Sequence, residues 1–390
     1  MTTEHRACPV CTADLPVPLL HNRMATVHGL DMSYIVARCS TCGFHYACDL
    51  PPDAQYAAYY QAVSKYDSQY AVSQLDRQRI GAAVALCEQS GLPKTASIAD
   101  IGCGFGALLA ALRDAGWSQV QGIDPAPQSA QVARELFNLC SVQTGWLSSA
   151  RDLLDLREVD LVCLMAVLEH LPQLPRDLGQ LLAQMRPGAR LLLEVPALEA
   201  FQGDVGEPLG EMSLEHIQYF SVTSMCNLLA HLGARVLQQT VLALPSVDSG
   251  SIFVLAEVGQ GVSTGPIRES GAAFDAYLAG SAKRLAQALQ RVPEGPFVLY
   301  GAGSHSARLL PALQPQQRQR LVAVLDGNRN LHGKQFGHMT VQAPEALADY
   351  PTLPVLISSY RAEPAIAQAL RAQFSNPLVL LYANSTQGAA

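Results

Sequence analysis

The chain places chemically capable residues in four patterns: a glycine turn between two acids, two cysteine pairs, and two loops carrying Glu-His. Asp100-Ile101-Gly102-Cys103-Gly104-Phe105-Gly106 ends an apolar run and leads into Ala107-Leu108-Leu109-Ala110-Ala111-Leu112. Glycines in such a turn let the backbone approach a ligand, and the helix that leaves it offers unpaired N–H groups. The next apolar run, Val120-Gln121-Gly122-Ile123, ends in Asp124, 18 residues past Gly106. That is where a strand–turn–helix–strand unit places a carboxylate for a ribose. Cys8-Pro9-Val10-Cys11 and Cys39-Ser40-Thr41-Cys42 have 27 residues between them. Each pair makes one knuckle, and four thiolates complete a tetrahedral zinc site with no open position, so the zinc is expected to be structural. His21 and His45 are the reserve ligands.

The two histidine loops suit proton transfer, because imidazole titrates near neutral pH. Glu169-His170-Leu171-Pro172 follows the apolar run 160–165, and Glu215-His216-Ile217-Gln218-Tyr219-Phe220-Ser221 occupies a long loop further on. His216 is the candidate base, with Glu215 to orient it or to bind a substrate hydroxyl. His170 is either a second catalytic group or a residue that orients its loop. Tyr56, Tyr59, Tyr60, Tyr66 and Tyr70 crowd around Lys65. They read as helices packed on the next domain or as a lid over the substrate, with Tyr66 as the phenol that hydrogen-bonds or transfers a proton.

Such residues need a scaffold, and the apolar periodicity supplies one. Strands are expected at 96–101, 119–123, 140–144, 160–165 and 190–196, alternating with helices at 106–115, 127–138 and 172–185. That alternation is the signature of a doubly wound parallel sheet. The runs 234–242 and 251–258 read as a closing antiparallel pair. Gly259-Gln260-Gly261-Val262-Ser263-Thr264-Gly265-Pro266 is a linker by composition. A helix over 272–291 follows, and then the strand–turn–helix pattern recurs. Phe297-Val298-Leu299-Tyr300 meets Gly301-Ala302-Gly303, and Asp326 ends the next strand. Ser306 takes the third glycine position, so the full dinucleotide fingerprint is absent. The expected class is α/β, with boundaries at 1–75 for the zinc-binding module and tyrosine lid, 76–258 for a Rossmann-like core, and 259–390 for a second Rossmann-like domain. That last domain reads as a nucleotide or other ligand-docking surface, a scaffold or homodimer surface, or an NAD site.

Bulk properties narrow the partners. The 390 residues are 49% hydrophobic with a net charge of −7, ample for several cores and unlike a nucleic-acid-binding chain. No apolar run reaches the roughly 18 residues of a membrane span. Met1-Thr2-Thr3-Glu4-His5-Arg6 has no apolar leader, so a cytoplasmic protein with neither membrane nor nucleic-acid partner is expected. The six cysteines outside the pairs read as small core residues.

The D-x-G-x-G-x-G turn with its following acid resembles the cofactor site of class I S-adenosylmethionine-dependent methyltransferases. The resemblance implies that Asp100, Gly102, Gly104 and Gly106 line the methionine and ribose, and that Asp124 takes the ribose hydroxyls. It also implies that Trp146 or Leu147 packs on the adenine and that Ala166 sits at the cofactor's edge. The whole assembly of cysteine pairs, methyltransferase core, E-H-x-x-Y-F-S loop and terminal G-A-G turn is similar to the zinc-containing nucleotide-sugar C-methyltransferases. That likeness implies methyl transfer to a sugar carbon beside a carbonyl, with His216 as base and the C-terminal domain holding the nucleotide. O- or N-methylation of another polysaccharide or secondary-metabolite intermediate is the alternative reaction. A cofactor-binding sensor or scaffold without turnover is the alternative of another class.

Overall fold

The computed structural model describes residues 5–27, 29–52, 54–56, 71–244, 249–259, 261 and 265–382. Tyr59, Tyr60, Lys65, Tyr66 and Tyr70, and with them the proposed lid, lie outside the described residues.

The chain opens with three antiparallel strands, β1 (Pro16–Asn22), β2 (Tyr34–Cys39) and β3 (His45–Asp49). Helix α1 (Gln74–Gln89) starts at Ser73, whose hydroxyl caps the Asp76 N–H at 3.0 Å. There follow β4 (Ile98–Ile101), α2 (Ala107–Asp114), β5 (Val120–Asp124), α3 (Ser129–Phe137), β6 (Val142–Thr144) and β7 (Leu161–Met165). Helix α4 (Leu174–Gln184) and β8 (Arg190–Pro196) come next, then a two-residue strand, β9 (Gln218–Tyr219), and helix α5 (Val222–His231). The long pair β10 (Ala234–Leu244) and β11 (Ser249–Val258) closes this part. Helix α6 (Ala272–Leu289) leads to β12 (Phe297–Tyr300), α7 (Ser304–Ala312), β13 (Leu321–Leu325), the hairpin β14 (Gln335–Phe336) and β15 (Met339–Gln342), β16 (Val355–Ile357), α8 (Glu363–Arg371) and β17 (Leu378–Leu380).

Among the described residues these strands form three sheets. The central one runs β10-β11-β8-β7-β4-β5-β6, parallel from β8 to β6 with an antiparallel tail. Strand β4 is buried along its whole length, as a central parallel strand must be to be covered by helices on both faces. The chain steps from β4 to β5 on one side and later to β7 on the other, so a crevice opens at the carboxyl ends of β4 and β7. The third sheet, β14-β15-β13-β12-β16-β17, repeats that reversal between β12 and β16. Both parallel cores and the closing antiparallel pair therefore stand where the hydrophobic periodicity expected them.

The first sheet is the element that the residue pattern did not announce. Its order is β1-β2-β3-β9, so the short strand just past His216 pairs with β3 of the N-terminal segment. Cores follow the same connections. One apolar cluster joins Phe44 and Tyr46 to Leu164, Leu168 and Phe220, and another joins Tyr34 and Val36 to Leu214, Tyr219, Phe274 and Phe297. The cysteine segment is packed into both neighbouring parts of the chain.

Candidate active site

The turn after β4 is shaped by its neighbours. Gly102 has φ +79°, and a β-carbon there would lie 2.6 Å from a methyl of Val167. Gly106 has φ +82°, with Leu139 at 3.0 Å from the same hypothetical atom. Backbone conformation and close contact together favour glycine at both positions. Gly104 donates its N–H to Asp124 Oδ2 at 2.8 Å, while Asp124 Oδ1 accepts from Ala126 N and the Ser129 hydroxyl, each at 2.9 Å. The turn thus fixes the second acid, and Oδ2 keeps capacity for a ligand hydroxyl.

Asp100 is the opposite case. It is 2% exposed, and its Oδ1 has no hydrogen-bond partner among the described residues. Burial first, and the nearby Asp124 second, push its carboxyl up to about 8. A buried acceptor without a donor is costly, so a ligand bearing a donor or positive charge at this turn fits the residues present. Trp146, which could have been simple core, is 43% exposed just beyond β6, while Leu147 packs partly on the central core. Ala166, at the carboxyl end of β7, has φ +54°, a rare conformation for alanine, and its N–H is held by Glu194 O at 2.9 Å. Asp100, the glycines, Asp124, Trp146 and Ala166 thus stand at the carboxyl edge of the central sheet.

His170 and His216, 46 positions apart in the sequence, come together with ring centroids 4.9 Å apart in an edge-on arrangement. The carbonyl of Glu215 lies 3.1 Å from His170 Nδ1. A carbonyl can only accept, so this nitrogen carries the hydrogen in neutral His170. The Glu215 carboxylate is 3.8 Å from the same nitrogen. The backbone beneath His216 is pinned from several directions. Ser213 Oγ accepts its N–H at 3.1 Å, and the Tyr219 hydroxyl donates to its carbonyl at 3.0 Å. The Tyr34 hydroxyl on β2 donates to Ser213 O at 2.8 Å, and Ala47 N on β3 donates to Ile217 O at 2.9 Å. The preceding stretch hangs from the C-terminal part: Ser281 Oγ accepts from Leu209 N at 3.1 Å, Tyr277 Oη accepts from Glu211 N at 3.0 Å, and Arg308 pairs with Glu207.

A cavity of about 610 Å³ links His216 to the C-terminal turn. His216, Glu207 and Glu211 line one wall, and Gly301, Ser304 and Asp326 another. Its size suits a small-molecule ligand. Asp326 accepts from Ala302 N at 2.7 Å, holding an acid at the end of β13 as Asp124 is held at the end of β5. Burial raises the Glu211 carboxyl. His305 is buried in the same region between Ser358 Oγ at 2.9 Å and Tyr382 Oη at 2.6 Å, and burial drives its pKa down to about 3.

Cys8, Cys11, Cys39 and Cys42 present their sulfurs within 4.8 Å of one another. Cys8 and Cys42 are 3.7 Å apart and Cys11 and Cys39 3.5 Å, against the ~3.8 Å that tetrahedral bonds of about 2.3 Å require. Neither reserve histidine joins them: His45 is buried and stacks on Phe274 with centroids 4.2 Å apart, and His21 is exposed beside Arg23. Tyr56 was hidden in the tyrosine run. It is buried, and its hydroxyl has no hydrogen-bond partner among the described residues, with Tyr34 and Glu215 in electrostatic range.

The chain is similar to known proteins over part of its length. Residues 73–239 match the model of a methyltransferase domain. The chain matches that model over less than half its length. It is 29% identical over 183 residues to the C-methyltransferase NovU of Streptomyces niveus, a match covering 46% of this chain and 42% of that protein. The chain therefore matches less than half the length of that curated relative. Among solved structures it is similar to the magnesium protoporphyrin IX methyltransferase of Synechocystis PCC 6803, at 19% identity over 53% of this chain and 98% of the other, with a TM-score of 0.39. It is also similar to the 1,6-didemethyltoxoflavin-N1-methyltransferase of Burkholderia thailandensis, at 16% identity over 63% and 99%, with a TM-score of 0.42. Among the described residues, no helix is long and apolar enough to cross a membrane.

The Asp100 environment predicts a pH signature. Its folded carboxyl binds a proton more tightly than in the unfolded chain, so the ligand-free protein should lose stability as pH rises from about 4 towards about 8. Asp100→Asn removes that ionisation. Its melting temperature relative to wild type should therefore improve between pH 5 and pH 8, and an offset independent of pH would refute the assignment.

Proposed function

We propose that this protein transfers the methyl group of S-adenosylmethionine to a small acceptor, a nucleotide-linked sugar methylated at a carbon beside a ketone. The supporting observation is the cavity that has His216 on one wall and the Gly301–Asp326 edge of the C-terminal sheet on the other. A nucleotide on that edge would leave its sugar at His216, beside the carboxyl ends of β4 and β7.

Bound S-adenosylmethionine supplies a methyl group on a positively charged sulfur. Asp100 meets the donor groups of its methionine portion, Asp124 its ribose hydroxyls, and Trp146 or Leu147 its adenine. His216 would remove the proton from the acceptor carbon, which the adjacent carbonyl has acidified, and hold it. Glu215 and His170 fix the orientation of the base. Because sulfonium is already a good leaving group, alignment and one proton transfer are the work left to the protein. The four cysteines hold a structural zinc. They tie β1–β3 together, and β3 in turn carries β9 and the backbone next to His216.

Two outcomes follow. With nucleotide-linked ketosugars as acceptors, the protein should release S-adenosylhomocysteine, and His216→Ala should lower turnover by about 10²–10⁴-fold while S-adenosylhomocysteine still binds. A variant with full turnover would remove His216 from the reaction. Stripping the zinc, confirmed by elemental analysis, should abolish turnover yet leave S-adenosylhomocysteine affinity within about tenfold, because the cofactor turn belongs to a different sheet. Unchanged turnover in metal-free protein would contradict the positioning role of the cysteine segment.

A further inference from the structure

We propose that Glu169, His170 and His216 form a second metal site, for one divalent transition-metal ion, separate from the four-cysteine cluster. Each of these side chains offers one ligand atom, and the three atoms lie within 4.8 Å of one another. The His170 tautomer favours this use. Nδ1 is committed to the Glu215 carbonyl at 3.1 Å, which leaves the lone pair on Nε2, and Nε2 faces Glu169 Oε1 at 3.8 Å. A metal-binding imidazole is commonly oriented by such a bond from its other nitrogen. Glu169 is 1% exposed, so its carboxylate stands in surroundings where a cation is held strongly. The Glu215 carboxylate, 3.8 Å from His170 Nδ1, adds a second negative charge nearby.

Ligands bonded at about 2.1 Å in a tetrahedral site stand ~3.4 Å apart, so small side-chain rotations close the cluster onto an ion. The three groups come from only two backbone segments, and these are already joined: Ile217 N donates to Glu169 O at 3.0 Å. Two imidazoles and one carboxylate select zinc, cobalt, iron or manganese over magnesium or calcium, which prefer all-oxygen ligands. An ion here engages the His216 side chain, so ion and proton-yielding acceptor exclude each other. That consequence rests on the reading of His216 as the base; the binding itself does not.

Cobalt(II) titrated into the full-length protein carrying one zinc per chain, confirmed by elemental analysis, tests the site without an acceptor. One equivalent should bind with weak visible d–d absorption and no thiolate-to-cobalt charge-transfer band, since no sulfur takes part. His170→Ala and His216→Ala should each weaken binding by more than about tenfold, with retained S-adenosylhomocysteine affinity in the same samples showing that the fold is intact. Absence of binding at millimolar cobalt, charge-transfer bands that report exchange into the cysteine cluster, or unchanged affinity in both folded histidine variants would each overturn the proposal.

Discussion

Asp100 sets the terms for the rest of the molecule. A carboxyl group 2% exposed, beside a second acid and with an oxygen that no described group donates to, is unfavourable in the free protein. Its position makes that cost purposeful. It stands one residue before the end of the central buried strand of a parallel sheet, at a reversal of strand order, where the backbone turns through glycines. Asp124 is handled in the reverse manner, with one donor from the glycine turn and two from the residues that follow β5. One acid is fixed by the protein's own donors, and the other keeps an oxygen that no described group donates to.

A cofactor turn alone does not choose an acceptor, and the segment 203–219 connects the turn to that choice. Its first half hangs from α6 and α7, and its second half is built into the N-terminal sheet through β9. The histidine between them is therefore placed by three parts of the chain at once. Arg308 contributes from α7 by pairing with Glu207 and donating to Met212 O at 3.1 Å. The C-terminal part and the His216 loop are joined through these same side chains.

Much of this architecture was legible in the residues. Parallel strands buried on both faces read as short apolar runs, and those at β4, β5 and β13 carry Asp100, Asp124 and Asp326 at or beside their carboxyl ends, so periodicity and chemistry marked the same places. The cysteine spacing likewise announced its cluster. The first sheet was not legible. Pro16 and Pro18 give β1 the look of a loop, and they are tolerated because β1 is an edge strand. Strand β9 has only two residues, and its partners His45 and Tyr46 lie more than 170 positions earlier, so no local pattern encodes it. The meeting of His170 with His216 is hidden for the same reason. Trp146 is ambiguous in sequence because core and surface tryptophans look alike; its exposure excludes the core.

The most direct test is calorimetric titration of S-adenosylhomocysteine into zinc-loaded protein at pH 7, repeated in buffers of different ionisation enthalpy. Most Asp100 is protonated at that pH in the free protein, and the ligand's ammonium group favours the carboxylate. The account predicts binding accompanied by proton release to the buffer. No binding, or binding whose heat is the same in every buffer, would contradict it.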